Sequence, residues 1–253
     1  MRLLLALALL SAGAQEVRDE VRFITCPIYR DADSGKKSGC WLAEDRATGT
    51  RYDVSLSPSK PDWNREVLVE GRVTDAAQTP CGGVVLDAVR TSILPGSCTR
   101  QMLPAEGHPG RKFVLPRRNL TPLSVVRTPP PGPYAARTFR LFFDFDQAFL
   151  IYQYDDFFLD NAIQWLRAAK PRSIVVTGYA ATTPARVSGR TIAEAPGIAR
   201  IRAEKVAEAL GRMGIDPRII TVRWKLAATP VVAEEADGLA EASRRRVDIA
   251  AAF

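Results

Sequence analysis

Few residues in this chain have the type and spacing for chemistry. Two acidic pairs, Asp155-Asp156 and Glu234-Glu235, could in principle divide acid and base roles, but one stands at an expected helix start and the other in a polar stretch. Both read as solvated charge. The single histidine, His108, sits in Gly107-His108-Pro109-Gly110 with no acid or nucleophile beside it. No Gly-x-Ser-x-Gly, P-loop or paired-histidine motif is present. The four cysteines, Cys26, Cys40, Cys81 and Cys98, lack the close C-x-x-C spacing of a zinc knuckle, so a metal role is set aside in favour of disulfides. Three pairings exist on paper. The short local loops, Cys26 with Cys40 and Cys81 with Cys98, are the expected ones, each worth about 2 to 4 kcal/mol. A non-enzymatic protein without cofactors is the expectation.

The surrounding sequence explains why disulfides fit. Met1 to Gln15 reads as a secretory signal: Arg2, the apolar run Leu3 to Leu10, and small residues Ala12-Gly13-Ala14 as a cleavage site, so residues 1–14 are expected to be removed on export. The run is too short to span a bilayer. A formal charge of +7 favours acidic partners, and export turns that preference away from nucleic acid and toward envelope polymers or anionic outer-membrane components. A periplasmic or outer-membrane-associated location follows as the expectation.

Residues 15–114 carry short alternating runs, Val21 to Thr25, Cys40 to Glu44, Arg51 to Leu56, Glu66 to Thr74 and Gly83 to Ile93, separated by turn residues. Five such strands predict a small disulfide-stapled β module, with an OB-like barrel as the candidate. Trp41 and Trp63 read as core and rim packing. An exposed aromatic cleft here would instead favour an oligosaccharide or protein binder. Residues 115–136, centred on Pro129-Pro130-Pro131-Gly132-Pro133, read as a semi-rigid spacer holding two modules apart.

Residues 137–253 alternate strand and helix patterns. Thr138 to Phe145 and Ser173 to Ala180 read as strands around a helix capped at Asp155 or Asp156 and ended by Pro171. A second helix starts at Pro196, buries Ala199, Ala203, Val206 and Leu210, and stops at Gly214. Ile219 to Leu226 and Arg246 to Ala251 complete the set. The whole chain is therefore expected to be α+β.

Within this half, Phe143-Asp144-Phe145-Asp146, Gly178-Tyr179, Arg202-Ala203 and Arg245-Arg246-Val247-Asp248-Ile249 stand in an order that resembles the OmpA C-terminal-like family of peptidoglycan-binding domains. The resemblance implies a βαβαββ fold and non-covalent binding of the stem-peptide diaminopimelate. It implies that Arg202 takes the ligand carboxylate, a geometry suited to a guanidinium fork. The family's aspartate, which would meet the ligand ammonium, is replaced by Ala181. Ala195 and Arg244 also stand where the family commonly has asparagine. Glu194 and Asp144 are the candidate replacement anions, with Tyr179 beside them. The resemblance thus implies a peptidoglycan-binding envelope protein with a degenerate site. The alternative is a domain that has lost its ligand and serves as a protein interaction module in envelope assembly.

Overall fold

The computed structural model describes residues 20–33, 39–76, 78–111, 128–151, 154–233 and 236–253. The expected signal peptide, residues 115–127 of the proline-rich spacer and the Glu234-Glu235 pair lie outside the described residues.

The first half is a barrel. Its strands are Glu20–Thr25 (β1), Pro27–Arg30 (β2), Cys40–Asp45 (β3), Thr50–Asp53 (β4), Arg65–Val73 (β5), Val84–Ser97 (β6) and Gln101–Leu103 (β7). β1 and β2 are two halves of one strand interrupted at Cys26. One half pairs antiparallel with β5 and the other with β3, while β4 pairs parallel with β6. With β3·β4 and β5·β6 antiparallel, the ring closes in the order of a five-stranded OB-type barrel. Phe23, Ala43, Val67, Val69, Leu86 and Val89 fill its interior, as the strand alternation requires. Tyr29, Trp41 and Trp63 pack together as partly buried rings, 4.8 to 5.4 Å between centroids, with Trp41 edge to face against each of the other two. They are the packing elements the alternation predicts for Trp41 and Trp63.

The cysteines pair otherwise than expected. The bonds are Cys26–Cys98 and Cys40–Cys81, with Cα atoms 5.7 Å apart in each. Proximity along the chain misled because the barrel sets which strands are neighbours. The bridges span 72 and 41 residues, so each removes more unfolded-state freedom than a short local loop would.

The second half follows the expected βαβαββ order. Arg137–Phe142 (β8), Tyr154–Ala169 (α1), Ser173–Tyr179 (β9), Ile198–Arg212 (α2), Ile220–Lys225 (β12) and Arg246–Ala252 (β13) form a four-stranded sheet, order β12-β9-β13-β8. Between β9 and α2 lies a small hairpin, Ala185–Val187 (β10) with Arg190–Ile192 (β11). Leu141, Ile174, Val176, Val247 and Ile249 meet Leu159, Ile163, Leu166, Val206 and Leu210 in the core. Two glycines have geometric reasons. Gly214 ends α2 with φ +88°, and a Cβ on Gly178 would lie 1.9 Å from the Ala199 carbonyl oxygen. Gly178 thereby lets α2 press its backbone onto β9, which sets the depth of the next turn of that helix.

The two halves touch along one outer face of the barrel, so the spacer does not hold them apart. Ile24, Leu68 and Leu94 cluster with Phe145 and Val187, and Ala88 packs on Leu239 and Ala242. Among these apolar contacts lies an ion pair sealed from water. Arg245 donates through both Nη atoms to Glu70, with side-chain exposures of 0% and 2%. Arg22 Nε adds a third bond to Glu70 at 3.1 Å.

Candidate functional site

The residues named by sequence do converge, but not into an open pocket. Arg202 lies one turn into α2, on the stripe with Ala199, Ala203 and Val206 that faces the sheet. Its side chain is fully buried and lies over the Phe143 ring, 5.2 Å from the centroid. Nε donates to the Gln147 carbonyl at 2.7 Å. Nη1 donates to the Tyr179 carbonyl at 3.0 Å and to Glu194 Oε2 at 3.1 Å. Nη2 donates to the Asp144 carbonyl at 3.1 Å and to Glu194 Oε1 at 2.5 Å. A guanidinium has five N–H groups, and these five bonds use them all.

Glu194 is equally saturated. Besides the Arg202 fork, its Oε1 accepts from the Asp146 amide at 2.8 Å and its Oε2 from the Ala181 amide at 2.6 Å. Asp146, at φ +54°, returns the favour by accepting from the Ala195 amide at 2.8 Å. Burial alone would push the Glu194 carboxyl up, but the hydrogen bonds and charge of Arg202 outweigh it and hold the group below the ordinary glutamate value. Both side chains of the pair have 0% exposure.

This geometry corrects the expectation in four places. Arg202 is not an open cation awaiting a carboxylate, because Glu194 already occupies its fork. Glu194 does not offer its charge to a ligand ammonium, being spent on Arg202 and two amides. Asp144 turns its carboxylate away from this site, to Ser59 Oγ of the barrel at 2.5 Å, and reaches Arg202 only through its carbonyl. Tyr179 likewise gives Arg202 only its carbonyl; its ring lies on the other side of the sheet, 4.0 Å from the Arg246 guanidinium carbon. Ala181, at the degenerate position, contributes a backbone N–H to the closure.

A second buried polar group joins the modules. Arg90 on β6 lies between the Phe142 and Tyr154 rings, at 5.9 and 4.8 Å, with Asp155 and Asp144 as the neighbouring acids. Asp155 does not cap α1 as expected: it lies within the first turn, and its Oδ2 accepts from the Ile151 amide, upstream of the helix, at 2.8 Å. Burial raises Asp155 to about 7 although Arg90 opposes the shift, and burial raises Asp144 as well. Sequence reasoning did not single out Glu70 or Arg90. Alternation along β5 and β6 places them on the outer face of the barrel, where a charge ordinarily meets water.

Among the described residues no cluster of histidine, cysteine, aspartate or glutamate is arranged to hold a metal ion, and no helix is long and apolar enough to cross a membrane. No family model and no curated protein sequence matches the chain. Solved structures align with about half of it. The OmpA-like domain of FopA1 from Francisella tularensis aligns at 16% identity and TM-score 0.35, covering 46% of this chain and 71% of that one. The peptidoglycan-associated lipoprotein from Burkholderia pseudomallei aligns at 20% and 0.33, covering 44% and 87%. The cell wall anchor of the T6SS from Pseudomonas aeruginosa aligns at 23% and 0.35, covering 46% and 80%.

Proposed function

We propose that this chain is an exported, non-enzymatic envelope protein in which an OB-type barrel and an OmpA-like domain work as one body, and that the OmpA-like half has exchanged ligand binding for protein interaction. The observation that carries this reading is the Glu194 carboxylate seated in the Arg202 fork. An internal acid stands where the resemblance would place the carboxylate of a stem peptide, and no donor of Arg202 is left over.

The competing reading is direct peptidoglycan binding through Arg202, supported by the sequence resemblance and the net charge of +7. It requires Glu194 to leave. Breaking a buried ion pair costs roughly 3 to 5 kcal/mol, which would weaken any apparent affinity by about two to four orders of magnitude. The missing aspartate at Ala181 removes the second charge of the clamp, so nothing compensates for that cost. The closed pocket is therefore the better account.

Sedimentation with purified diaminopimelate-type peptidoglycan tests it. The unmodified protein should stay in the supernatant, and Ala181→Asp alone should not bring it down. Pull-down of the unmodified protein that disappears in Arg202→Ala would refute the closed pocket.

A further inference from the structure

The outer strand of the second sheet is built to accept another strand. β12 ends the order β12-β9-β13-β8, and among the described residues nothing pairs with its free side. Successive residues of a strand turn their N–H and C=O groups to opposite sides. The Lys225 carbonyl accepts from the Ala180 amide at 3.3 Å, so Thr221, Arg223 and Lys225 bond inward to β9. Val222 and Trp224 then aim their N–H and C=O groups outward, as the bonding row of an open edge.

The side chains around that row form two distinct faces. On the helix side a groove of about 430 Å³ runs between α2 and the strand, floored by Ala207, Gly211, Pro217, Ile220 and Val222. Trp224 and Leu226 follow along the same edge, 50% and 48% exposed, with the Arg200 guanidinium over the Trp224 ring at 5.5 Å. On the opposite side Arg223 and Lys225 are exposed and make no ion pair among the described residues. The acids next to the groove are already matched, Glu204 to Arg200 at 2.7 Å and Glu208 to Arg212 at 3.7 Å. Isolated lysines on an edge can serve simply to repel other strands. Here the same edge also exposes a large aromatic and an apolar groove, which a purely protective edge has no reason to carry.

We propose that β12 is a docking edge for an extended acidic segment of a partner protein, added as a fifth strand with apolar side chains alternately entering the α2 groove and acidic ones facing Arg223 and Lys225. This rests on the reading of the second module as a protein interaction domain and names its surface. A second copy of the chain is the poorer occupant. Antiparallel self-pairing would bring the Arg223 and Lys225 of one edge against those of the other, and like charges across strands are destabilising. Main-chain bonds supply the affinity in this mode, and the side-chain alternation supplies the selectivity.

The test uses the full chain and a fluorescent peptide of about eight residues, a typical strand length, alternating valine with glutamate. Its lysine-for-glutamate counterpart is the control, and fluorescence anisotropy at low salt is the readout. The acidic peptide should bind at least about tenfold more tightly than the basic one. Val222→Pro removes an outward amide and leaves the bonds to β9 in place, so it should weaken binding by about tenfold or more. The double variant Arg223→Glu/Lys225→Glu should reverse the peptide preference, and it serves if the proline variant does not fold. Equal binding of both peptides, binding of neither, or binding unmoved by both variants overturns the proposal. A dimer in sedimentation equilibrium that Val222→Pro dissolves would overturn it too, assigning the edge to a second copy. Co-sedimentation with peptidoglycan would refute the closed pocket without touching this result, so the two failures are separable.

Discussion

Removing the Glu194 carboxylate should damage the fold more than losing one surface charge. In Glu194→Ala the Arg202 guanidinium stays buried and keeps the carbonyls of Asp144, Gln147 and Tyr179, yet has no counter-charge. Truncating one member of a buried pair costs roughly 3 to 5 kcal/mol. The amides of Ala181 and Asp146 lose their acceptor as well, each worth about 1 to 3 kcal/mol if water cannot reach it. Partial relaxation of the surviving carbonyls toward Arg202 offsets some of this, and a net loss of about 4 kcal/mol is expected. With a urea slope of about 2 to 3 kcal/mol/M, the midpoint should fall by roughly 1.5 M. The double variant Glu194→Leu/Arg202→Met removes both charges together and should be less damaged than the two single losses added, because no charge is left buried without a partner, although the Ala181 and Asp146 amides still lack their acceptor. Urea unfolding of the unmodified protein, Glu194→Leu, Arg202→Met and the double variant, followed by tryptophan fluorescence, is the assay. A single variant that loses less than about 1 kcal/mol, or a double variant as damaged as the two singles combined, would show that Arg202 and Glu194 are not the coupled, water-excluded pair drawn above.

Two further outcomes follow from the seam between the modules. Glu70→Ala leaves Arg245 buried without its ion-pair partner and hydrogen-bonded to the Phe143 and Glu241 carbonyls, so calorimetry should resolve two unfolding transitions where the unmodified chain shows one; a single unchanged transition counts against the shared seam. Asp155 has a folded value near 7 against an ordinary one near 4, so its contribution is complete below about pH 4 and is lost as pH rises to about 7, at up to about 1.4 kcal/mol per pH unit. Asp155→Asn keeps an acceptor for the Ile151 amide and should gain on the unmodified protein steadily between pH 4 and 7; a stability difference that ignores pH would refute this.

The legible parts of the molecule are those where burial writes a period into the sequence. Ile174-Val175-Val176 and the Ala199, Ala203, Val206, Leu210 stripe fix a strand and a helix face without reference to anything distant, and both stand where expected. The β10–β11 hairpin escaped because residues 182 to 194 are polar and small, with no alternation to follow. β2 and β7, four and three residues long, are too short to show one. The disulfides escaped for a different reason: strand adjacency is a property of the closed barrel, and sequence distance does not report it. Charged residues mislead most. Glu70, Arg90 and Arg245 are water-seeking by type, and only the arrival of the other module makes them interior.

The site and the seam are mechanically one structure. The Arg202 fork depends on the carbonyls of Asp144 and Gln147, which lie in the segment following β8. That segment is held from the barrel side, by Ser59 on the Asp144 carboxylate and by Ser92 Oγ accepting from the Phe145 amide at 2.8 Å. A ligand that displaced Glu194 would have to move residues that the barrel clamps, and Phe145 is itself packed against Ile24, Leu68 and Leu94. Here the barrel holds the cradle, Glu194 fills it, and the methyl of Ala181 leaves no second charge to draw a ligand in. The uncharged Ala181 and the docked barrel act on the same cradle. Both favour a rigid body whose accessible, unsaturated surface lies elsewhere, on the β12 edge.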